Sequence, residues 1–186
     1  RDLVRSRGLG DVYKRQAKII GNKGGASANF SLSSTKYGST SGTIAIKGNK
    51  FNAHTPQATV WYNGKTQWTY MKNTNEVNVS NPTQAQQMSM NPYTFINIYK
   101  TGYNSSLKNA GSNYEGHLIA QNKRRTVQEL IITINKKTYV PSVIKMRQGS
   151  SWSTIKVSNF RAKNVSNSTF VFNSKDFPKA EIVDLR

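Results

Sequence analysis

The chain has 186 residues, of which 35% are apolar, and its formal net charge at pH 7 is +19. This length predicts one domain with enough apolar side chains for a single core or one lined cavity. The sequence contains no cysteine, which excludes disulfides and thiolate metal sites. It also contains no run of the roughly 18 apolar residues that a membrane-spanning helix needs.

The opening stretch, RDLVRSRGLGDVYKRQ, is basic and precedes the patterned part of the chain. One back-translation of DVYKRQ is GATGTGTATAAGAGACAG, which resembles the transposase end sequence ligated to fragments in sequencing libraries. We therefore predict that residues 1–16 are adapter-derived and that one domain spans 17–186, with its N-terminal helix truncated. The alternative is a genuine disordered basic tail. On the adapter interpretation the natural start, with any signal peptide, is missing.

The first predicted elements are the last turn of a helix and two strands. Residues 17–20 form the turn, and the following GNKGG is typical of a helix end. Phe30 and Leu32 alternate with polar residues, as do Ile44 and Ile46. This period of two predicts half-buried strands.

The stretch ATVWYNGKTQWTYMKN is the clearest hairpin in the sequence. Two aromatic and β-branched runs flank Asn63 and Gly64, a pair that suits a two-residue turn. Strand parity places Val60, Trp68 and Tyr70 on the apolar face. NEVNVS adds one more strand.

The character changes in NPTQAQQMSMNPYTFINIYKTGY, where the alternation stops. Two prolines divide a segment rich in Met and aromatic residues, which predicts short helices inserted between strands. Met88, Met90, Phe95 and Ile96 are its apolar residues.

Strands then resume and continue to the end of the chain. VQELIITINKKTYVPSVIKMRQ predicts a second hairpin that sets Ile132 and Ile134 against Val143–Met146. SWSTIKVSNFRA, STFVFNS and AEIVDLR predict three more strands. The fold class is therefore mainly β with an α lid: a curved antiparallel sheet or open β-barrel covered by short helices.

Evidence for catalysis is sparse, and we expect no enzyme activity, no metal and no cofactor. The two histidines, His54 and His117, are far apart in sequence, and no carboxylate pair has catalytic spacing. NGKT resembles the end of a phosphate-binding loop but lacks the earlier glycine and lies in a hairpin.

A nucleic-acid-binding module is the alternative that the basic composition suggests. Tyrosines and tryptophans on a sheet can stack bases. However, the lysines and arginines are scattered along the chain and cluster only in NKRRT at 122–126. Most aromatic residues also alternate with polar ones in the manner of a core. We therefore expect no nucleic-acid partner.

Several stretches together resemble the LolA-like outer-membrane lipoprotein carriers, particularly the branch common in Bacteroidetes. The most specific are YNGKTQWTY, NPYTF and the C-terminal FVFN…AEIVDLR, and the resemblance extends from about Ser27 to Arg186. It implies an open antiparallel β-barrel with a helical lid over a hydrophobic cavity.

The resemblance also implies a function. Such proteins are monomeric periplasmic carriers that shield lipoprotein acyl chains and transfer them from the inner to the outer membrane. The implied partners are acylated lipoproteins, an inner-membrane release complex, an outer-membrane acceptor and, transiently, the membrane surface. Two relatives stay open as alternatives: a LolB-like acceptor and a periplasmic lipid-binding or envelope-stress sensor.

On this hypothesis the apolar strand positions line an acyl-chain cavity and the inserted helices form its lid. The cavity residues are Phe30, Leu32, Ile44, Ile46, Val60, Trp68, Tyr70, Ile132, Ile134, Ile144, Met146, Ile155, Val157 and Phe172. The lid residues are Met88, Met90, Phe95 and Ile96. The family's gating arginine has no counterpart after GTIAIK, where Lys47 and Lys50 are the substitute candidates, and a lysine lacks the guanidinium fork.

Overall fold

The computed structural model describes residues 6–20, 23–36, 38–83, 86–87 and 102–186. The expected lid residues Met88, Met90, Phe95 and Ile96 lie outside these ranges. Helix α1 spans Ser6–Ile20. The strands are β1 Ala26–Ser34, β2 Gly38–Lys47, β3 Lys50–His54, β4 Ala58–Tyr62, β5 Gln67–Met71, β6 Glu76–Ser80, β7 Tyr103–Ala110, β8 Asn113–Ala120, β9 Glu129–Asn135, β10 Pro141–Gln148, β11 Ser151–Ala162 and β12 Glu181–Asp184.

All twelve strands belong to one sheet with the order β12-β6-β5-β4-β3-β2-β1-β11-β10-β9-β8-β7. Every neighbouring pair is antiparallel except β12 and β6, which are parallel. The sheet is open, because β12 and β7 form its two edges. The predicted fold class, a mainly β protein with an open curved sheet, is confirmed.

Both predicted hairpins are present, and the first has a longer turn than expected. Residues 63–66 connect β4 to β5, with Gly64 at a φ of 101°. The Asn63 side-chain oxygen accepts hydrogen bonds from the backbone N–H groups of Lys65 (3.0 Å) and Thr66 (2.8 Å). An asparagine that hydrogen-bonds the backbone two residues on stabilises such turns locally.

One face of the sheet, which we call the inner face, carries the main core. Its centre is a continuous row of side chains from β9, β10 and β11, in which Ile132 pairs with Ile144 and Ile144 with Ile155. Ile132 is fully buried, and the other two are almost so. Because side chains alternate along a strand, the intervening residues point to the opposite, outer face.

Helix α1 packs against the inner face and begins earlier than the sequence suggested. Val12, Tyr13 and Gln16 are buried, and a Cβ at Gly116 of β8 would lie 2.7 Å from the Tyr13 hydroxyl oxygen. Only a glycine at this position lets the tyrosine approach so closely. We expected the helix to be a stub over 17–20, but it includes residues 6–16 as well. Their adapter origin stays a prediction.

The outer face has a second, smaller core over β3 to β6. Trp61 and Val77 are buried there, apart from the inner-face core. The chain that follows β11 covers them with two 3₁₀ helices, Asn167–Phe170 and Ser174–Asp176. The fully buried Phe170 anchors this segment. STFVFNS is therefore not the predicted strand, whereas AEIVDLR does contain one, β12.

The start of the inserted segment is visible at Thr83. Its side-chain oxygen accepts from the Gln86 backbone N–H at 3.3 Å, and its own N–H donates to the Gln86 side-chain oxygen at 2.9 Å. This reciprocal pair is a capping box, which starts a helix. A helix therefore starts here, with Thr83 as its cap.

Candidate functional site

Most of the predicted cavity residues do lie together on the inner face. They belong to its buried core or pack against it. These residues are Phe30, Leu32, Ile44, Ile46, Val60, Ile132, Ile134, Ile144, Met146, Ile155 and Val157.

Trp68, Tyr70 and Phe172 lie on the outer face, contrary to the prediction. Trp68 pairs with Trp61, whereas the inner residue Val60 pairs with Thr69, so Trp68 and Tyr70 point away from the inner face. Strands β4 and β5 carry large apolar side chains on their outer face, because the C-terminal segment covers them there.

Aromatic contacts hold Phe172 in this outer core. Its ring lies 5.4 Å from Trp61 and 5.5 Å from Phe177, and Phe177 lies 4.6 Å from Tyr70, all between ring centroids. Such pairs stabilise the contact beyond the burial of their area. They belong to the packing of the C-terminal segment and do not line an inner cavity.

The inner face is closed at one side and open at the other. Under α1, Leu107, Leu118 and Ile134 are at most 1% exposed. On β1, β4 and the end of β11, Phe30, Leu32, Val60, Val157 and Phe160 are only half-buried, although they pack against the same core. We call these five residues the open inner patch. Its side chains are apolar and keep part of their surface exposed.

The polar end of β3 borders the open inner patch. A Cβ at Gly42, which pairs with Phe30, would lie 1.7 Å from the His54 carbonyl oxygen. No other residue type fits there without displacing backbone. This glycine therefore allows the chain after β3 to turn across β2 beside the patch.

The inner face also carries polar groups, and on β5 and β6 most of its inward positions are polar. The hydroxyl of Tyr103 donates to the Val127 carbonyl oxygen at 2.7 Å, and burial raises the pKa of this tyrosine. Gln16 is fully buried, and within the described part of the chain its side-chain amide has no hydrogen-bond partner. Leaving such an amide unpaired costs about 1–3 kcal/mol. The packing of α1 against the sheet therefore includes a buried polar group without a hydrogen-bond partner among the described residues.

The two gating candidates do not point to the inner face. Lys47 follows the inner residue Ile46 and pairs with Lys50, so both lysines belong to the outer face. The Lys47 ammonium donates to the Val165 carbonyl oxygen at 3.0 Å. It thus holds the C-terminal segment in place.

The two histidines occupy different outer-face surroundings. His54 Nδ1 lies 3.3 Å from the Thr59 hydroxyl, and burial, with a smaller contribution from Lys72, lowers the His54 pKa. His117 Nε2 lies 2.6 Å from a Glu129 carboxylate oxygen.

Arg147 binds the other Glu129 oxygen at 3.0 Å. The hydrogen bond from His117, with help from Arg147, lowers the pKa of Glu129 although burial opposes it.

An outer-face groove of about 710 Å³ separates the end of β3 from the C-terminal segment. Its walls include Asn52, His54, Phe172 and Asp176. Asn52 donates to the Val60 carbonyl oxygen at 3.3 Å, which satisfies its buried amide group.

Two kinds of feature are absent from the described residues. They contain no group of three or more metal-ligating side chains close enough to hold an ion. They also contain no helix with the length and apolar character needed to cross a membrane.

A family model described as outer membrane lipoprotein carrier protein LolA matches residues 4–150. The chain belongs to this family. The predicted LolA-like resemblance is thereby confirmed. The match ends just before the start of β11, so β11 and the C-terminal segment that covers the outer face lie beyond it. No curated protein matches the sequence significantly.

Solved structures show the same LolA-like fold at low sequence identity. An uncharacterized conserved protein from Thermus thermophilus is 11% identical, with 95% of this chain and 99% of that chain covered and a TM-score of 0.62. A DUF1329 family protein from Desulfovibrio piger is 10% identical, with 92% and 98% covered and a TM-score of 0.54. A LolA superfamily protein from Nitrosomonas europaea is 10% identical, with 87% and 96% covered and a TM-score of 0.50.

Proposed function

We propose that this LolA-family protein is a periplasmic carrier that shields lipoprotein acyl chains on its inner face and transfers them from the inner to the outer membrane. The observation that carries the proposal is the open inner patch. Phe30, Leu32 and Val60 are half-buried apolar side chains beside a closed core. Membership of a family described as lipoprotein carriers supports the same function.

The physics is reversible burial, and no bond is made or broken. Each buried methylene contributes about 0.8 kcal/mol, so one acyl chain of about 15 carbons contributes roughly 12 kcal/mol when fully covered. A carrier must release its cargo, so it should cover the chains only in part. A sheet face that is closed under α1 and open over β1 and β4 suits such partial coverage.

The carrier acts between a donor and an acceptor. We expect it to receive the acylated lipoprotein from an inner-membrane release complex and to deliver it to the outer membrane, directly or through an acceptor. Neither step needs a cofactor.

Native mass spectrometry tests the proposal. The protein is co-expressed with a triacylated lipoprotein and purified without detergent. We expect a 1:1 complex that is lost when the acyl chains are removed enzymatically, because the acyl chains supply the binding energy. A protein that stays empty beside the lipoprotein but retains phospholipid would contradict the carrier function and favour a lipid-binding sensor.

A further inference from the structure

One end of the sheet carries a row of lysines on successive turns. This end includes the turns that connect β2 to β3, β4 to β5, and β9 to β10. The end of β11 and the start of β1 meet there too. The turns and chain ends at this edge carry Lys23, Lys50, Lys65, Lys137 and Lys163, which we call the lysine rim.

The lysines of the rim have no carboxylate partner among the described residues. Lys23, Lys65, Lys137 and Lys163 are exposed, and Lys50 is half-buried. The rim therefore keeps its positive charge available to a partner.

Other cations at this end already have partners. Lys136 lies over the Tyr114 ring at 5.3 Å, and the Arg186 guanidinium binds Asp184 at 2.6 Å. The hydrogen bonds from Arg186 lower the pKa of Asp184 to about 2. The carboxylate that ends β12 here is thus already neutralised by its neighbour.

The opposite end of the sheet mixes acidic residues with lysines. Glu76, Glu129 and Glu181 lie at the starts of β6, β9 and β12, which the register puts at the end away from the lysine rim. Exposed lysines follow β5 and precede β12 at that same end. At the rim end, by contrast, the carboxylates of Glu115 and Asp184 are each paired with a neighbouring cation.

We propose that the lysine rim docks the protein on an anionic lipid surface. The lysines follow a line of turns and do not converge on a pocket, so they suit a partner without fixed geometry. Lysine is a point charge on a flexible stem, which adapts to mobile headgroups. Leu185, 65% exposed at the same end, supplies an apolar side chain to the interface.

A nucleic acid fits these observations less well. Binding to single strands needs aromatic faces on which bases stack. In the described residues at this end, Tyr114 is covered by Lys136, and Tyr139 lies under Arg15 at 5.0 Å and accepts a hydrogen bond from it. The lipid surface is therefore the partner that the rim favours.

Docking of this kind does not depend on the carrier function. Cargo binding uses the open inner patch, whereas docking uses turns at one end of the sheet. The test therefore uses cargo-free protein, so that its failure leaves the proposed function standing.

The test compares two fourfold variants of equal charge in vesicle cosedimentation. The rim variant changes Lys23, Lys65, Lys137 and Lys163 to Gln. The control variant changes Lys36, Lys72, Lys123 and Lys179 to Gln; these lysines are exposed and belong to the opposite end. The vesicles contain equal parts of phosphatidylglycerol and phosphatidylcholine, or phosphatidylcholine alone.

We expect the unaltered protein to bind the anionic vesicles only, and less tightly as salt rises. A lysine near an anionic surface contributes about fivefold in affinity. The rim variant removes four such lysines and should therefore bind about six-hundredfold more weakly, and the control variant less than about fivefold. Equal losses in both variants, or no binding of the unaltered protein, would overturn the proposal. A competition experiment gives one more result that would overturn it. In that result, a single-stranded oligonucleotide displaces the protein from the vesicles at a lower concentration than added phosphatidylglycerol vesicles do.

Discussion

Replacing Leu32 by Asn should weaken acyl-chain binding without unfolding the protein. Leu32 is half-buried in the open inner patch, and it packs against the core. Full burial of a leucine side chain contributes about 1.5–3 kcal/mol, and at most about a third of that is left for a ligand to supply, because Leu32 is already mostly buried. An asparagine amide covered by an acyl chain adds a desolvation cost of about 1–3 kcal/mol. The sum is about 1.5 kcal/mol or more, or at least about tenfold in Kd.

The assay is a fluorescence titration with a palmitoylated, dye-labelled peptide, with thermal unfolding measured in parallel. The matched control is Ser33→Asn, because Ser33 is the next residue on β1 and is exposed on the outer face. The control should bind within about twofold of the unaltered protein. If the folded Leu32→Asn protein binds as tightly as the unaltered one, or if both variants lose binding equally, the inner-face site is refuted.

Three further predictions concern the fold and its pH dependence. Phe170→Ala removes a fully buried ring from the outer core and should lower the free energy of unfolding by about 3–5 kcal/mol in urea; a loss below about 1 kcal/mol would show that the C-terminal segment is not packed there. Gly42→Val should prevent native folding, since its side chain would collide with the His54 carbonyl oxygen, and a native circular-dichroism spectrum would contradict this. Burial and Lys72 lower the His54 pKa below its ordinary 6.5, so the unfolded chain binds the proton more tightly. Stability should fall as pH drops from about 6.5 towards the lower native pKa, and His54→Gln should remove that part of the slope in urea titrations at several pH values.

Alternation along the strands was enough to predict the inner face. Ile132 and Ile134 on β9, and Ile144 and Met146 on β10, repeat with a period of two, so each pair lies on one face of its strand. The turn around Asn63 and Gly64 could also be predicted from the sequence, because its residues determine the backbone conformation locally.

The same reasoning failed for Trp68 and Tyr70, because it assumed one apolar face. On β5 and β6 the apolar residues face outward, under a C-terminal segment that sequence alone did not place. Period-two alternation reports that a face is covered, but it does not say which face. The cue that was available is that Val60 and Trp61 are both apolar, as expected of a strand covered on both sides.

The extent of α1 was missed for a different reason. Residues 1–16 were predicted to be adapter-derived because of their back-translated codons, so their helical spacing was not used. In the structure Val12, Tyr13 and Gln16 follow the spacing of one buried helix face.

The most direct test of the account is site-specific photo-crosslinking to an acylated lipoprotein. A photoreactive amino acid is placed at Val60, on the open inner patch, or at Ser41, which is exposed on the outer face of β2. The account predicts that the Val60 position crosslinks to the triacylated lipoprotein and not to its deacylated form, while the Ser41 position crosslinks to neither. Equal crosslinking from both positions, or crosslinks from Val60 that persist after deacylation, would contradict acyl-chain binding on the inner face.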